Sequence, residues 1–146
     1  MKNKLILGTA QFGMDYGINN RIGEIKKGEI IKILDFSKKN NINLFDTANS
    51  YGDSENKLGN YIKKKNNNFK IITKYSSNST GFIKQFIKTR KLTGLIPDVV
   101  LAHSYKDYLS KDFQESLDFL IKKFRLKKYG VSLYDPKEYF KILKVR

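Results

Sequence analysis

The chain has 146 residues with 40% hydrophobic and 13% aromatic content, so it forms one globular domain at most and is long enough to bury a core. With no Cys and a single His, His103, it excludes disulfides, thiolate metal sites and a multi-His metal centre within one chain. The formal charge of +15 comes from 29 basic residues, of which only Arg21, Arg90, Arg125 and Arg146 are Arg; the lysines are scattered, as in Lys63-Lys64-Lys65, and read as solvated helix faces rather than a nucleic-acid interface.

In chain order, Met1-Lys2-Asn3-Lys4 followed by Leu5-Ile6-Leu7-Gly8 imitates a signal peptide, but its apolar part is too short. No apolar run approaches a membrane span, and a cytoplasmic protein with no membrane partner is expected. Leu5 to Gly8 is instead a first short strand. A Gly-rich loop follows, then a helical pattern with Ile30, Ile31, Ile33 and Leu34. Ile42 to Phe45 is the second strand and ends on Asp46, with Tyr51 in the loop beyond it. Asp53 or Ser54 can cap the next helix, Glu55 sits in its first turn, and Leu58, Tyr61 and Ile62 mark its apolar side. Phe69 to Thr73 is the third strand, and Phe82, Ile83, Phe86 and Ile87 give its helix. Asp98 to Ala102 is the fourth; Phe113, Leu117, Leu120, Ile121 and Phe124 then repeat at helical spacing. Tyr129 to Leu133 is the fifth strand, and Asp135-Pro136 opens another helix with Pro at its first position.

Strands alternating with helices imply a parallel sheet with right-handed crossovers. A unit of roughly thirty residues is the period of a (β/α)8 barrel, a fold of about 250 residues. A five-stranded open sheet of the flavodoxin type has the same element count. The strand ends favour the barrel. Asp46 and Tyr51 follow the second strand, Lys74 the third and His103 the fourth, and in a parallel barrel these ends share one mouth. An ammonium beside a phenol stabilises the phenolate, and a carboxylate keeps the ammonium charged and in place. The phenol is then a workable general acid, and the imidazole can orient a carbonyl oxygen.

These residues carry a resemblance. From Leu7-Gly8-Thr9-Ala10-Gln11-Phe12-Gly13, through Phe45-Asp46-Thr47-Ala48 with Tyr51-Gly52, Thr73-Lys74 and His103, to Gly130-Val131-Ser132, the chain resembles the aldo/keto reductases. Gln11-Phe12-Gly13 and Asp15-Tyr16-Gly17-Ile18 look most like the branch associated with bacterial surface-polysaccharide and sugar-nucleotide gene clusters. The resemblance implies a catalytic tetrad of Asp46, Tyr51, Lys74 and His103, with Tyr51 protonating the carbonyl oxygen of a small-molecule substrate, possible sugars or sugar nucleotides among them. It implies NADP(H) as cofactor, with Gly8 and Thr9 lining the nicotinamide and Ser132 on its carboxamide. Leu133 departs from the Asn often found next. It further implies a partial (β/α)8 TIM barrel, about the first four and a half βα units, with residues 1–146 as the N-terminal half of a domain. On this expectation the isolated chain lacks the strands that hold most of the cofactor and is inactive, unless a second half-barrel chain or self-association completes it. A non-catalytic basic binding module is the alternative.

Overall fold

A computed structural model describes residues 5–65, 68–77 and 80–144; the charged start Met1–Lys4 lies outside them. Five strands, β1 (Leu7–Gly8), β2 (Leu44–Asp46), β3 (Lys70–Tyr75), β4 (Val99–Ala102) and β5 (Tyr129–Val131), form one sheet. Helices α1 (Lys27–Lys39), α2 (Ser54–Lys65) and α3 (Phe82–Thr93) follow the first three strands. A four-residue α4 (Tyr105–Tyr108) and then α5 (Lys111–Phe124) follow β4, and α6 (Pro136–Leu143) follows β5.

All neighbouring strands are parallel, in the order β1-β2-β3-β4-β5. That order decides between the two architectures left open by the element count. An open flavodoxin-type sheet reverses its strand order at a switch point and carries helices on both faces. Consecutive right-handed crossovers without reversal place every helix on one face, as in the wall of a barrel. Burial follows the same division. Phe45, Ile71, Thr73, Tyr75, Val100 and Ala102 alternate along the strands and are wholly covered, whereas Leu44, Asp46, Ile72, Val99 and Leu101 on the opposite face are half-buried.

The covered face packs into two apolar clusters. One joins Phe45 and Ile71 to Ile30, Leu34, Leu58 and Ile62 of α1 and α2. The other joins Tyr75, Val100 and Ala102 to Phe82 and Phe86 of α3, Phe113, Leu117 and Leu120 of α5, and Ile142 of α6. The expected apolar stripes are therefore real but narrower than the sequence pattern: Ile31, Ile87 and Ile121 face solvent at the stripe edges. The starts of α4, α5 and α6 are capped by short polar side chains, which satisfy otherwise orphaned amides. Ser110 accepts from the Phe113 amide, and Asp135 forms a capping box with Glu138 ahead of Pro136. Of the two candidate caps for α2, Ser54 is the first residue of the helix, and its hydroxyl donates across to Thr9. Among the described residues no helix is long and apolar enough to cross a membrane.

Candidate active site

Strand register alone brings Asp46 and Lys74 together. Asp46 pairs with Ile72 across β2 and β3, and Lys74 lies one pleat further along β3, on the same face. β3 runs on to Tyr75, so Lys74 is inside the strand rather than just past it. Its stem is held by strand geometry on both sides and its ammonium reaches the end of β2.

There the ammonium is ion-paired to Asp46 Oδ1 and donates to the Thr47 carbonyl at 3.1 Å. The two partners differ in exposure: the Lys74 side chain is 8% exposed and that of Asp46 30%. A buried cation needs such a partner, because desolvation otherwise drives it to neutrality. The same ammonium lies 5.0 Å from the centroid of the Tyr51 ring, within cation–π range.

Tyr51 sits on a loop held from both ends. Its amide donates to Ala48 and its carbonyl accepts from Ser54, while Asn49 donates to the Lys74 carbonyl. The loop is also pressed against the one after β1. A Cβ on Gly13 would lie 2.0 Å from the Tyr51 carbonyl oxygen and 2.4 Å from the Ser54 amide, so only glycine permits this backbone crossing. Gly13 is thus the point of closest approach to the loop that carries the phenol.

His103 follows β4, with its amide donating to the Tyr75 carbonyl at 2.8 Å. Its ring meets that of Tyr51 edge-on, with centroids 6.0 Å apart. Burial, and then the positive charge of Lys74, hold the imidazole below its ordinary 6.5, against weaker opposing effects of Asp107 and Asp46. Nδ1 lies 3.2 Å from the Ser50 hydroxyl. Thus Asp46, Tyr51, Lys74 and His103 converge at the C-terminal end of the sheet.

Gly8, Thr9, Asp46 and Tyr51 border a cavity of about 400 Å³ at that end, together with Ala10, Gln11, Tyr16 and Gly17. No atom lies within 4 Å of the place a Gly8 Cβ would take, which leaves an open cradle beside Asp46. Thr9 lines the cavity but is fully buried; its hydroxyl donates to the Asp46 carbonyl and accepts from Ser54. Ser132 stands half-buried after β5, with its amide bonded to the Ala102 carbonyl.

Several side chains here were not singled out from the sequence as site residues. Ser50 touches His103, Tyr16 stacks at 6.5 Å from Tyr51, and Tyr134 is within electrostatic reach of Tyr51 and Lys74. Glu55 is another. Read from the sequence as a first-turn acid, it is 3% exposed and accepts from Thr73, Thr89 and Asn49. It ties the start of α2 to β3, α3 and the tyrosine loop. The only sequence signal for it was its place four residues beyond Tyr51.

The family model described as the aldo/keto reductase family matches residues 4–145. No curated protein matches the chain. Among solved structures it is similar to a Pseudomonas aeruginosa protein assigned as an aldo-keto reductase, at 23% identity and a TM-score of 0.73, covering 95% of this chain and 59% of that one. It is similar to an aldo/keto reductase from Brucella melitensis at 20% identity and 0.68, covering 96% and 53%. A Klebsiella pneumoniae aldo-keto reductase in complex with NADPH matches at 16% and 0.66, covering 95% and 49%. These likenesses establish the fold, and the chain spans 49–59% of the length of these three structures.

Proposed function

We propose, for a chain that belongs to the aldo/keto reductase family, that it carries the proton-transfer half of an NADPH-dependent carbonyl reductase site. The observation that carries the reading is the Lys74 ammonium, ion-paired to Asp46 and set against the face of Tyr51. When the Tyr51 phenol gives its proton to a carbonyl oxygen, the ammonium stabilises the phenolate left behind. Asp46 keeps that ammonium charged and in place. His103, neutral at physiological pH, orients the carbonyl oxygen by hydrogen bonding and does not compete as the acid.

The open cradle at Gly8 suits the flat nicotinamide end of NADP(H). Gly8 and Ser132 would hold that end, with Thr9 backing it: Thr9 is fully buried, and its amide, carbonyl and hydroxyl already bond Asp46, Phe12 and Ser54. When bound, the cofactor supplies the hydride. The substrate class we propose is a sugar or sugar-nucleotide carbonyl. Its support is the resemblance at Gln11-Phe12-Gly13 and Asp15 to Ile18.

The test is NADPH consumption with a panel of aldehydes and sugar carbonyls, run on the chain alone and with a second-half barrel polypeptide added. No hydrogen bond is found for the Tyr51 hydroxyl among the described residues, so Tyr51→Phe is expected to shift stability by no more than about 0.5 kcal/mol. It is expected to lower turnover by about 10²-fold or more, the contribution of a positioned general acid. Turnover that survives the substitution would overturn the reading.

A closing partner is part of the proposal. Among the described residues β1 and β5 each pair on one side only. Leu5 and Ile6 beside the first edge, and Tyr129, Tyr139 and Phe140 beside the other, are exposed. Unpaired edges flanked by apolar side chains invite further strands. We propose that a polypeptide with further parallel βα units covers them, with self-association as the lesser route. Sedimentation showing a monomer at all concentrations, unchanged by such a polypeptide, would count against both.

A further inference from the structure

His103 is the only histidine of the chain, and its role in the proposed reaction depends on which ring nitrogen carries the proton. A neutral imidazole has one N–H donor and one lone-pair acceptor. Which is which is set by the hydrogen bond that the other nitrogen makes.

The Ser50 hydroxyl lies 3.2 Å from Nδ1. That is the one hydrogen bond found for the Ser50 side chain among the described residues, and the hydroxyl can donate to a bare Nδ1 or accept from an Nδ1–H. The placement is not accidental to the loop. Ser50 immediately precedes Tyr51, on a segment fixed by the Asn49 amide to the Lys74 carbonyl and by Tyr51 to Ala48 and Ser54. His103 is equally restrained. Its own amide is bonded to Tyr75, and the next residue, Ser104, caps α4 by accepting from the Asp107 amide. Asp107 in turn accepts from Ser77 and from the Ser104 hydroxyl, so its carboxylate is engaged away from the ring. The charged groups that act on the ring are Lys74 from β3, Asp46 from β2 and Asp107 from α4, and the Lys74 ammonium disfavours a second positive charge beside it.

We propose that Ser50 is a positioning residue: its hydroxyl donates to Nδ1 of His103, holds the neutral ring as the Nε2–H tautomer, and leaves Nε2–H as the donor for a carbonyl oxygen. The last clause rests on the reductase reading given above; the tautomer itself does not. Ser50 thereby links the loop that presents the proton donor to the ring that orients the acceptor, so that both are placed by consecutive residues.

Because there is one imidazole, nitrogen NMR of 15N-histidine-labelled chain reads this residue without assignment ambiguity. The expected spectrum above the imidazole's titration shows a protonated Nε2 and an unprotonated Nδ1. Ser50→Ala is expected to convert this into a mixture of tautomers, and Ser50→Thr, which keeps the hydroxyl, to restore it. Ser50 is exposed, so neither change threatens the fold. A wild-type ring protonated at Nδ1, or a tautomer ratio unmoved by Ser50→Ala, would overturn the proposal. In an active preparation Ser50→Ala is expected to lower kcat/KM roughly fivefold, the worth of one neutral hydrogen bond. An intact tautomer effect with turnover indifferent to Tyr51→Phe would refute the reductase reading and leave the Ser50–His103 assignment standing.

Discussion

Removing either member of the Lys74–Asp46 pair should not cost the same. Asp46→Asn leaves a cation whose side chain is 8% exposed, with only the Thr47 carbonyl and the Tyr51 ring to stabilise it. Breaking a fully buried pair in this way costs about 3–5 kcal/mol. Here the mouth admits some water and the new amide oxygen can still accept, so about 2–3 kcal/mol is expected on the same basis. Lys74→Met fills a similar volume and leaves a carboxylate that is 30% exposed and can be hydrated, so about 0–1 kcal/mol is expected. At an unfolding entropy of about 2.1 cal/mol/K per residue, a chain of this length changes stability by about 0.3 kcal/mol for each degree. The midpoint should therefore fall by about 7–10 °C for Asp46→Asn and by at most about 3 °C for Lys74→Met. Calorimetric scans at neutral pH measure both, and the double variant should recover most of the loss, because no unpaired buried charge remains. Equal losses, or a larger loss for Lys74→Met, would refute the assignment of the cost to a stranded ammonium.

Two glycines separate the site from the scaffold. Gly13→Ala drives a methyl against the backbone of Tyr51 and Ser54, whereas Gly59→Ala drives one to 2.1 Å from the Leu92 carbonyl, where α2 crosses α3. Both should destabilise by about 1–3 kcal/mol, as overpacking does, but only Gly13→Ala should also depress turnover; chemical denaturation alongside NADPH consumption reads the difference, and equal loss of turnover would defeat the distinction. His103 gives a pH signature. Its folded-state titration is depressed below the ordinary 6.5, so it contributes stability that is fully present above that pH and is lost as pH falls through the folded value. Unfolding free energy should therefore decline from about pH 6.5 downward, and His103→Gln should remove that part of the slope. An unaltered slope would place the acid sensitivity elsewhere.

The side chains of the proposed site were legible because they stand at strand ends, and strand ends can be read from apolar runs. Asp46 closes the run at Phe45, and His103 follows the run from Val99 to Ala102. Lys74 was slightly misplaced: β3 continues through it, because a lysine paired inside the barrel wall does not interrupt a strand as a solvated one would. The short α4 escaped notice because four residues carry no helical period, and it rests on the Ser104 cap. The tertiary bonds of Glu55 and Ser54 were not legible, for a shared reason. Each looks like helix-start chemistry, but each is used across the fold, Ser54 with Thr9 and Glu55 with Thr73 and Thr89. Local spacing cannot distinguish a cap from a tertiary bond when the same side chain suits both. Ser50 is the clearest case. Its partner is 53 positions away, and only the register of β2, β3 and β4 brings them together.

The unbroken strand order has a consequence for how the molecule is made. Among the described residues, each strand after the first pairs with the one synthesised just before it. Loops between pairing partners are therefore short for a parallel sheet, which limits the closure entropy of each step. A chain emerging at about 5–20 residues per second can add one strand and its helix at a time to a template already formed. Asp46, Tyr51, Lys74 and His103 are all carried by the second to fourth units. The four residues of the proposed proton-transfer site are thus all synthesised before β5 and α6.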